Sequence, residues 1–332
     1  MFEYSKYKIP INNLENSNTN YKFQEIILIK SKRYQCLLEI SPLKGFNNES
    51  VNQIEEILLS KISFDISKYP SFEYALSNQL KTNIKNISVK TSILISNNED
   101  IIKNISNYTH LGFNTFKIKV SKNDYLKKIE LIKSINSSIN IRIDFNNEFS
   151  TEDSINILNN INYKFEFIEG ILSEESIKNY RLLKNSKHNL CLDLNSKNLL
   201  DIDKIIKDKL LSFIAIKPKI LGDDKKTQIL AKECQKNNIK SYISSTFDTQ
   251  IGFNKSIFLA KYLDNLYNEE IIHGFGTYNF LEKSLLEGIS LNKGFIKSEF
   301  NEINIENLSK YQTSNWEKIV NLEIIEKLKN AQ

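Results

Sequence analysis

Five short segments of the chain decide its fold: TFKIKV (115–120), NIRIDF (140–145), FEFIEG (165–170), NLCLDL (189–194) and SFIAIK (212–217). Four of them are rich in β-branched or aromatic residues, and NLCLDL is rich in leucine. An amphipathic stretch with helical periodicity separates each segment from the next. This alternation predicts buried parallel strands joined by helices. Three more runs of the same kind complete a set of eight predicted strands: TSILIS (91–96), KSYISS (240–245) and EIIHGF (270–275). Eight strands within residues 91–275 favour a closed (β/α) barrel over an open sheet.

The chain divides into three predicted regions. Residues 1–90 have α+β character and are expected to form a capping domain, residues 91–285 a modified (β/α)8 TIM barrel, and residues 286–332 a tail that packs back on the cap. The expected elements outside the barrel are strands at 22–31 and 33–41, helices at about 49–62 and 70–86, and one helix in the tail at about 315–329.

The composition indicates a soluble globular protein. Hydrophobic residues make up 40% of the 332 residues and charged residues 26%, and the net charge of +5 is spread along the chain. This distribution is typical of a solvated surface and not of a nucleic-acid-binding stripe. The sequence contains no apolar run of transmembrane length and begins without an apolar signal-peptide core, so a cytoplasmic protein is expected. It carries no indication of an oligomeric state.

Charged side chains stand at or near the carboxyl ends of five predicted strands. They follow one another at intervals of 25, 25, 24 and 24 residues: Lys119, Asp144, Glu169, Asp193 and Lys217. In a (β/α) barrel the ends of successive strands surround one opening, where catalytic groups lie. Any one of these residues alone would be an ordinary strand-end residue. Five at near-constant intervals predict a functional site at that opening.

Strand periodicity directs these side chains into the barrel. Lys117 and Lys119 share one face of their strand, and Arg142, Asp144 and Asn146 share one face of the next. Buried lysines need acidic partners, and converging carboxylates repel one another unless a cation lies between them. An all-oxygen ligand set suits Mg²⁺, which Mn²⁺ could replace, and the lack of soft ligands disfavours zinc. A lysine beside another cation can act as a base near neutral pH.

The ordered motifs of the chain resemble those of the o-succinylbenzoate synthases in the enolase superfamily. The resemblance runs through nearly the whole chain, and its specificity lies in the order and barrel spacing of the motifs together. It implies a barrel of the (β/α)7β type with the active site between barrel and cap. The matching segments are EISPLKGF (39–46), KIK (117–119), RIDFN (142–146), FIEG (167–170), LDLN (192–195), AIKPKILGD (215–223), YISSTFDTQIG (242–252) and HGFGT (273–277).

The resemblance also implies a role for each site residue. Lys119 would remove the α-proton and then, as its conjugate acid, assist the departure of hydroxide. Lys117 would hold the substrate carboxylate, and Lys217 would stabilise the enediolate from the opposite face. The remaining implied residues are Asp144, Glu169 and Asp193 as Mg²⁺ ligands, Arg142 and Asn146 as supporting residues beside the metal, and Ser244, Ser245, Gly274 and Gly276 as contacts to a succinyl tail.

The implied reaction is the Mg²⁺-dependent dehydration of 2-succinyl-6-hydroxy-2,4-cyclohexadiene-1-carboxylate, a small-molecule carboxylate, to 2-succinylbenzoate in menaquinone or phylloquinone biosynthesis. Loss of water makes the ring aromatic and provides much of the driving force. The chain departs from the family pattern at Gly170 and Ile171, where E-P often follows the strand-four ligand. It departs again at Leu194 and Asn195, where E-S often follows the strand-five ligand.

Three alternatives remain open on the same residues. An N-succinylamino-acid racemase or a dipeptide epimerase would also need a lysine on each face of the substrate. The dipeptide epimerase is disfavoured because the segment HGFGT (273–277) lacks the acidic D-x-D element that holds a substrate amine in that family. A non-catalytic barrel that binds a carboxylate is disfavoured by the presence of both lysines and all three carboxylates.

Overall fold

The computed structural model describes residues 1–12, 22–31, 36–77, 86–96, 100–135, 138–299 and 305–330. These residues form a four-stranded sheet, a seven-stranded parallel sheet and a three-stranded sheet. None of the helices in these ranges is long and apolar enough to cross a membrane.

The four-stranded sheet is antiparallel and forms the cap together with three helices. Its strands are β1 (Glu3–Pro10), β2 (Phe23–Ser31), β3 (Cys36–Ile40) and β14 (Glu317–Lys318), and the helices are α1 (Val51–Leu59), α2 (Pro70–Leu76) and α11 (Leu322–Asn330). Apolar side chains of the helices, among them Ile54, Phe72 and Ile324, pack with Tyr4 and Ile29 of the sheet in one buried cluster. The C-terminal residues therefore contribute both a strand and a helix to the cap.

Three predicted elements differ from the structure. The helix expected at 49–62 is α1, which begins after Ser50; the Ser50 side chain accepts the N–H of Gln53, while Gln53 accepts the N–H of Ser50. The helix expected at 70–86 is α2, and residues 78–85 lie outside the described ranges. The helix expected at 315–329 is shorter, because the residues before α11 form β14, which pairs with the edge of β1. A free sheet edge offers backbone hydrogen-bond partners, and local helix propensity does not reveal them.

The seven-stranded sheet is all parallel, and its strands follow one another in chain order. This is the order that a barrel of successive strand–helix units requires. The strands are β5 (Ile93–Ile95), β6 (Thr115–Lys119), β7 (Asn140–Asp144), β8 (Phe167–Glu169), β9 (Leu190–Asp193), β10 (Phe213–Ile216) and β11 (Lys240–Ile243). The intervening helices are α3 (Ile101–His110), α4 (Tyr125–Lys133), α5 (Thr151–Asn160), α6 (Ile177–Leu182), α7 (Ile202–Lys207), α8 (Pro218–Leu221) and α9 (Asp224–Lys236), and α10 (Gln250–Tyr267) follows β11.

A third sheet joins the start of the barrel to the residues that follow it. In it β4 (Asn86–Lys90) pairs with β13 (Phe295–Glu299), which in turn pairs with β12 (Ile289–Asn292), all antiparallel. The pairing therefore joins the first predicted region to the third, and the division into residues 1–90, 91–285 and 286–332 stays a prediction.

The eighth predicted strand, at 270–275, is reduced to two bridged residues. His273 pairs in parallel with Thr91, just before β5, and Gly274 pairs in parallel with Ser244, just after β11. Backbone hydrogen bonds of 2.8–2.9 Å accompany both bridges. These two residues join the first and seventh strands and close the curled sheet, and the predicted modified barrel is confirmed.

The side chain of His273 reinforces this closure. Its Nδ1 accepts the backbone N–H of Ile243 at 3.0 Å, and its Nε2 lies 3.2 Å from Oδ1 of Asp264. Because Nδ1 accepts, the proton is on Nε2 and the ring is neutral. Burial lowers the pKa of His273 and outweighs the opposite effect of Asp264. The imidazole thus serves as an acceptor for a buried amide at the seam of the barrel.

We expect His273→Gln to lower the free energy of unfolding by about 1–3 kcal/mol near neutral pH, because the amide of Ile243 loses its acceptor. The difference from the wild type should shrink at about pH 5.5. There His273 binds a proton more readily in the unfolded wild type than in the folded protein, because burial lowers its pKa. The wild type therefore loses stability as the pH falls below the ordinary histidine value of 6.5, whereas the variant does not. Urea unfolding of both proteins at the two pH values measures this. A difference that stays constant or grows at the lower pH would contradict it.

Candidate active site

The register of the barrel strands places charged residues side by side at one end of the sheet. Lys119, Asp144 and Glu169 are Cα partners across β6, β7 and β8. Asp193 lies two residues beyond the partner of Glu169 on β9, and Lys217 directly follows β10. Because barrel strands are tilted and staggered, such an offset keeps all these side chains at one opening. The two lysines therefore stand on the strands that flank the three carboxylate-bearing strands.

The ammonium of Lys117 lies between two carboxylates. It is 3.0 Å from Oδ2 of Asp144 and 2.5 Å from Oε1 of Glu169. Burial opposes the charge of Lys117, but Asp144, Glu169 and Asp193 together raise the pKa of the lysine. Burial raises the pKa of Glu169, whereas Lys117 and Lys119 hold the pKa of Asp144 well below its usual range despite burial. The site is thus a strongly cation-attracting cluster.

Asn146 links Lys119 to Asp144. The Lys119 ammonium lies 3.6 Å from Oδ2 of Asp144 and donates to Oδ1 of Asn146 at 2.9 Å. The backbone N–H of Asn146 donates to Oδ1 of Asp144 at 3.0 Å, and its side-chain amide donates to the carbonyl of Val120 at 3.0 Å. The structure therefore places Asn146 between Lys119 and Asp144, and its supporting role beside a metal stays a prediction.

The backbone at Gly170 accounts for a glycine where the family often has glutamate after the strand-four ligand. Its φ of +60° is in the left-handed region, and a Cβ there would lie 3.0 Å from Oδ1 of Asp144 and 3.1 Å from the backbone N of Asn146. Asn146 itself has a φ of 54°. The two turns after β7 and β8 pack so closely that a side chain at residue 170 would press on the Asp144 carboxylate.

Lys217 lies under a residue of the cap. It forms an ion pair with Asp193, and its ammonium stands 4.4 Å from the centre of the Phe46 ring. An ammonium over an aromatic face is attracted by the ring quadrupole. The carbonyl of Phe46 accepts the N–H of Ser196, in the loop after β9, at 3.2 Å. The loop after β3 thus covers the Lys217 side of the opening.

A buried polar network fastens this loop to the barrel. The Lys219 ammonium donates to the carbonyl of Ser41 at 2.8 Å and pairs with Asp248, whose Oδ1 also accepts the hydroxyl of Ser41 at 2.6 Å. The carboxylate of Glu39 accepts the hydroxyl of Thr249, the residue that caps α10, at 2.6 Å. Burial and the neighbouring Asp248 raise the pKa of Glu39 to about 7. Cap and barrel therefore share hydrogen bonds directly behind the opening.

The structure corrects the expected position of Arg142. Its guanidinium bonds the carboxylate of Glu166 at 2.8 and 3.2 Å and the carbonyl of Ile272 at 2.8 Å. It also stacks 4.9 Å from the ring centres of Phe167 and Tyr242. Arg142 is two residues before Asp144 on β7, so its side chain lies one layer deeper in the barrel. It supports the floor of the site and does not stand beside the carboxylates.

Four residues were predicted to contact a succinyl tail, and the structure divides them into one open hydroxyl and three packed groups: Ser244, and then Ser245, Gly274 and Gly276. The hydroxyl of Ser244 is half-buried and makes no hydrogen bond to the described part of the chain. That of Ser245 bonds the hydroxyl of Thr277 at 2.5 Å and the carbonyl of Gly274 at 3.0 Å. A Cβ on Gly276 would lie 2.4 Å from the Leu94 side chain, which packing forbids. Ser244 is the member of this group that is free to meet a ligand.

Two side chains at the site were not predicted. Tyr242 shares the inward face of β11 with Ser244, and its hydroxyl donates to Oε2 of Glu169 at 3.0 Å. The alternation along the strand could have indicated it. Glu175, in the loop after β8, accepts from the Tyr180 hydroxyl at 2.8 Å. Burial and the nearby Asp193 raise the pKa of Glu175 to about 8. A loop position of this kind gives no periodic signal.

The donor chemistry of the site fits a hard divalent cation, although the carboxylates now hold ammonium groups. Within the described ranges, no three acidic, histidine or cysteine side chains stand close enough to coordinate one ion. Lys117 occupies the space between Asp144 and Glu169, and Lys217 is paired with Asp193. The ligands are all oxygens, and their attraction for positive charge is strong enough to raise the pKa of Lys117. Their role as metal ligands stays a prediction.

A capped barrel whose opening is lined by carboxylates and flanked by lysines defines the class as the enolase superfamily. Residues 100–299 match the family model described as Enolase C-terminal domain-like, which spans more than half of the chain, and the protein belongs to this family. The predicted resemblance to the enolase superfamily is confirmed.

The chain is similar to three proteins from Listeria innocua and Enterococcus faecalis. The chain is 21% identical over 274 residues to an o-succinylbenzoate synthase of Listeria innocua, covering 79% of this chain and 73% of that protein. A crystal structure of an enolase superfamily member from Listeria innocua superposes with a TM-score of 0.74 at 18% identity over 96% of this chain and 98% of that one. A dipeptide epimerase from Enterococcus faecalis, solved with Mg and the dipeptide L-Leu-L-Tyr, gives a TM-score of 0.64 at 15% identity over 90% and 96%.

We expect Ser245→Ala and Ser244→Ala to differ in stability. The first removes a hydroxyl that bonds Thr277 and Gly274 and should cost about 1 kcal/mol of unfolding free energy. The second removes a hydroxyl without a described partner and should change the stability by less than about 0.5 kcal/mol. Urea unfolding of the two variants measures both values. Equal losses would show that the hydroxyl of Ser244 also has a structural role.

Proposed function

We propose that the protein is an o-succinylbenzoate synthase that works in the cytoplasm, in menaquinone or phylloquinone biosynthesis. It would dehydrate 2-succinyl-6-hydroxy-2,4-cyclohexadiene-1-carboxylate to 2-succinylbenzoate. The observation that carries the proposal is the placement of Lys119 and Lys217 on the two strands that flank the three carboxylates. A substrate carboxylate held at the centre would have one lysine on each side of its α-carbon. The similarity of the chain to two o-succinylbenzoate synthases, at 21% and 23% identity, supports the same reaction.

Asp144, Glu169 and Asp193 would hold the Mg²⁺, as their oxygen-only chemistry allows. Bound there, Mg²⁺ would supply a Lewis acid for the substrate carboxylate. Lys117 lies between Asp144 and Glu169, so it would be the cation displaced toward the substrate, where it can pair with the substrate carboxylate. The metal ion would then balance the negative charges of Asp144 and Glu169, and Lys117 would balance that of the substrate carboxylate.

Lys119 would take the proton from the α-carbon and then return it to the departing hydroxyl, which leaves as water from the same face. Asn146 holds the Lys119 ammonium at 2.9 Å and therefore fixes the direction from which the proton is removed. Lys217, on the opposite side, would stabilise the negative charge of the enediolate by its own positive charge. The Phe46 ring, 4.4 Å from the Lys217 ammonium, would shield that face from water.

A sister activity on the same scaffold is the alternative that the comparisons support. A dipeptide epimerase shares this fold, and its structure contains Mg and a dipeptide. It would use the same two lysines to remove and return a proton without loss of water, as would an N-succinylamino-acid racemase. The residues after His273, namely Gly274, Phe275 and Gly276, offer no carboxylate for a substrate amine. This disfavours the dipeptide epimerase, whose substrate has a free amine, and leaves the racemase to be separated from the dehydratase by experiment.

The purified protein should convert the cyclohexadiene substrate in the presence of Mg²⁺, followed by the change in absorbance as the ring becomes aromatic. Lys119→Ala and Lys217→Ala should each reduce turnover by at least about 10³-fold, because each removes an interaction made in the transition state. Lys122→Ala is the matched control, since this lysine follows the same strand but is exposed and pairs with Asp153. Its turnover should equal that of the wild type.

Proton exchange separates the alternatives. Exchange of the α-hydrogen of N-succinylamino acids or dipeptides in heavy water, without dehydration of the cyclohexadiene, would assign the protein to a racemase or epimerase instead. A folded wild type that neither dehydrates nor exchanges, and that shows no calorimetric signal with Mg²⁺, would reject the catalytic proposal. Circular dichroism establishes the folded state in each case.

A further inference from the structure

We propose that Tyr242 is a positioning residue that fixes the carboxylate of Glu169 and thereby sets the affinity of the site for its divalent cation. The inference rests on the proposed function only in taking Glu169 as a metal ligand. It concerns a residue on the seventh barrel strand, away from the three strands that carry the carboxylates.

Each oxygen of the Glu169 carboxylate has a donor of its own. Oε1 accepts from the Lys117 ammonium at 2.5 Å, and Oε2 accepts from the hydroxyl of Tyr242 at 3.0 Å. Glu169 is 1% exposed, so water does not replace either donor. The hydroxyl of Tyr242 therefore determines which way the carboxylate plane turns. Lys117 can move aside for a cation, whereas Tyr242 keeps hold of Oε2 and leaves Oε1 available.

The ring of Tyr242 is itself locked in place. It stacks on Phe167 with ring centres 5.6 Å apart and planes 24° from parallel, and the Arg142 guanidinium lies 4.9 Å from its centre. On the other side, a Cβ at Gly274 would lie 3.2 Å from Cε2 of Tyr242, so the glycine makes room for the ring. A phenol that is packed on both sides can direct a hydrogen bond with little freedom.

The hydroxyl of Tyr242 is the donor in this hydrogen bond, because the ionised carboxylate of Glu169 can only accept. If the hydroxyl were removed, the buried Oε2 would lose its donor and the carboxylate would be free to rotate away from the cation.

Titration of the full chain with Mg²⁺ by isothermal calorimetry tests the inference. Tyr242→Phe should weaken Mg²⁺ binding by about 10- to 100-fold, as losses of hydrogen bonds to metal ligands generally do. Tyr267→Phe is the matched control. Its hydroxyl bonds that of Ser241 and the carbonyl of Ile239, each at 3.0 Å, at the α10 side of the same strand, so its Mg²⁺ affinity should equal that of the wild type.

A second readout distinguishes positioning from general structural damage. With the cyclohexadiene substrate, Tyr242→Phe should need more Mg²⁺ for half-maximal rate and should regain most of the wild-type kcat when Mg²⁺ is saturating. If this variant fails to fold, Gly274→Ala serves instead. Its added methyl group presses on the Tyr242 ring and should weaken Mg²⁺ binding several-fold with the hydroxyl still present.

The outcomes distinguish a failure of the metal site from a failure of the role assigned to Tyr242. A wild type that does not bind Mg²⁺ rejects the metal site and with it the proposed function. A wild type that binds Mg²⁺, together with a folded Tyr242→Phe or Gly274→Ala protein of unchanged affinity, overturns the role of Tyr242 and leaves the proposed function intact.

Discussion

Carboxylates buried in a barrel must be neutralised, and this requirement organises the opening of the protein. Asp144 and Glu169 share the ammonium of Lys117, and Asp193 pairs with Lys217. Leaving any of these charges buried without a partner would cost several kcal/mol. The same charges attract a divalent cation. The site is therefore balanced between internal ion pairs and a bound metal, and binding of the ion would release lysines for chemistry.

The remaining parts of the fold keep this cluster in position from three sides. From below, the Arg142 guanidinium and the rings of Phe167 and Tyr242 form a packed floor. From the side, His273 and its neighbour close the barrel so that strands one and seven cannot separate. From above, the loop that carries Phe46 is held against Lys217. Buried polar side chains hold this loop on the barrel. Such side chains cost free energy unless each forms its hydrogen bonds, and the position of the loop is therefore well defined.

Much of the site could be predicted because strand periodicity and repeat length are local properties. The intervals of 24–25 residues identify the strand ends, and the two-residue alternation indicates that Lys117 and Lys119 face inward with Asp144. The same reasoning misplaced Arg142, because sharing a face does not specify the layer in which a long side chain ends. It also treated Ser244 and Ser245 alike, although Thr277, which satisfies one of them, is more than thirty residues away.

The sequence by itself determined the barrel class, the inward direction of the charged side chains and their order around the opening, since these follow from short-range periodicity and from equal repeats. The tertiary structure decided which partner each side chain finds. It showed that Tyr242 bonds Glu169, that Phe46 covers Lys217, and that the tail contributes β14 and α11 to the cap. These contacts join residues far apart in the chain, and their existence depends on how strands, loops and cap pack together, which no local pattern encodes.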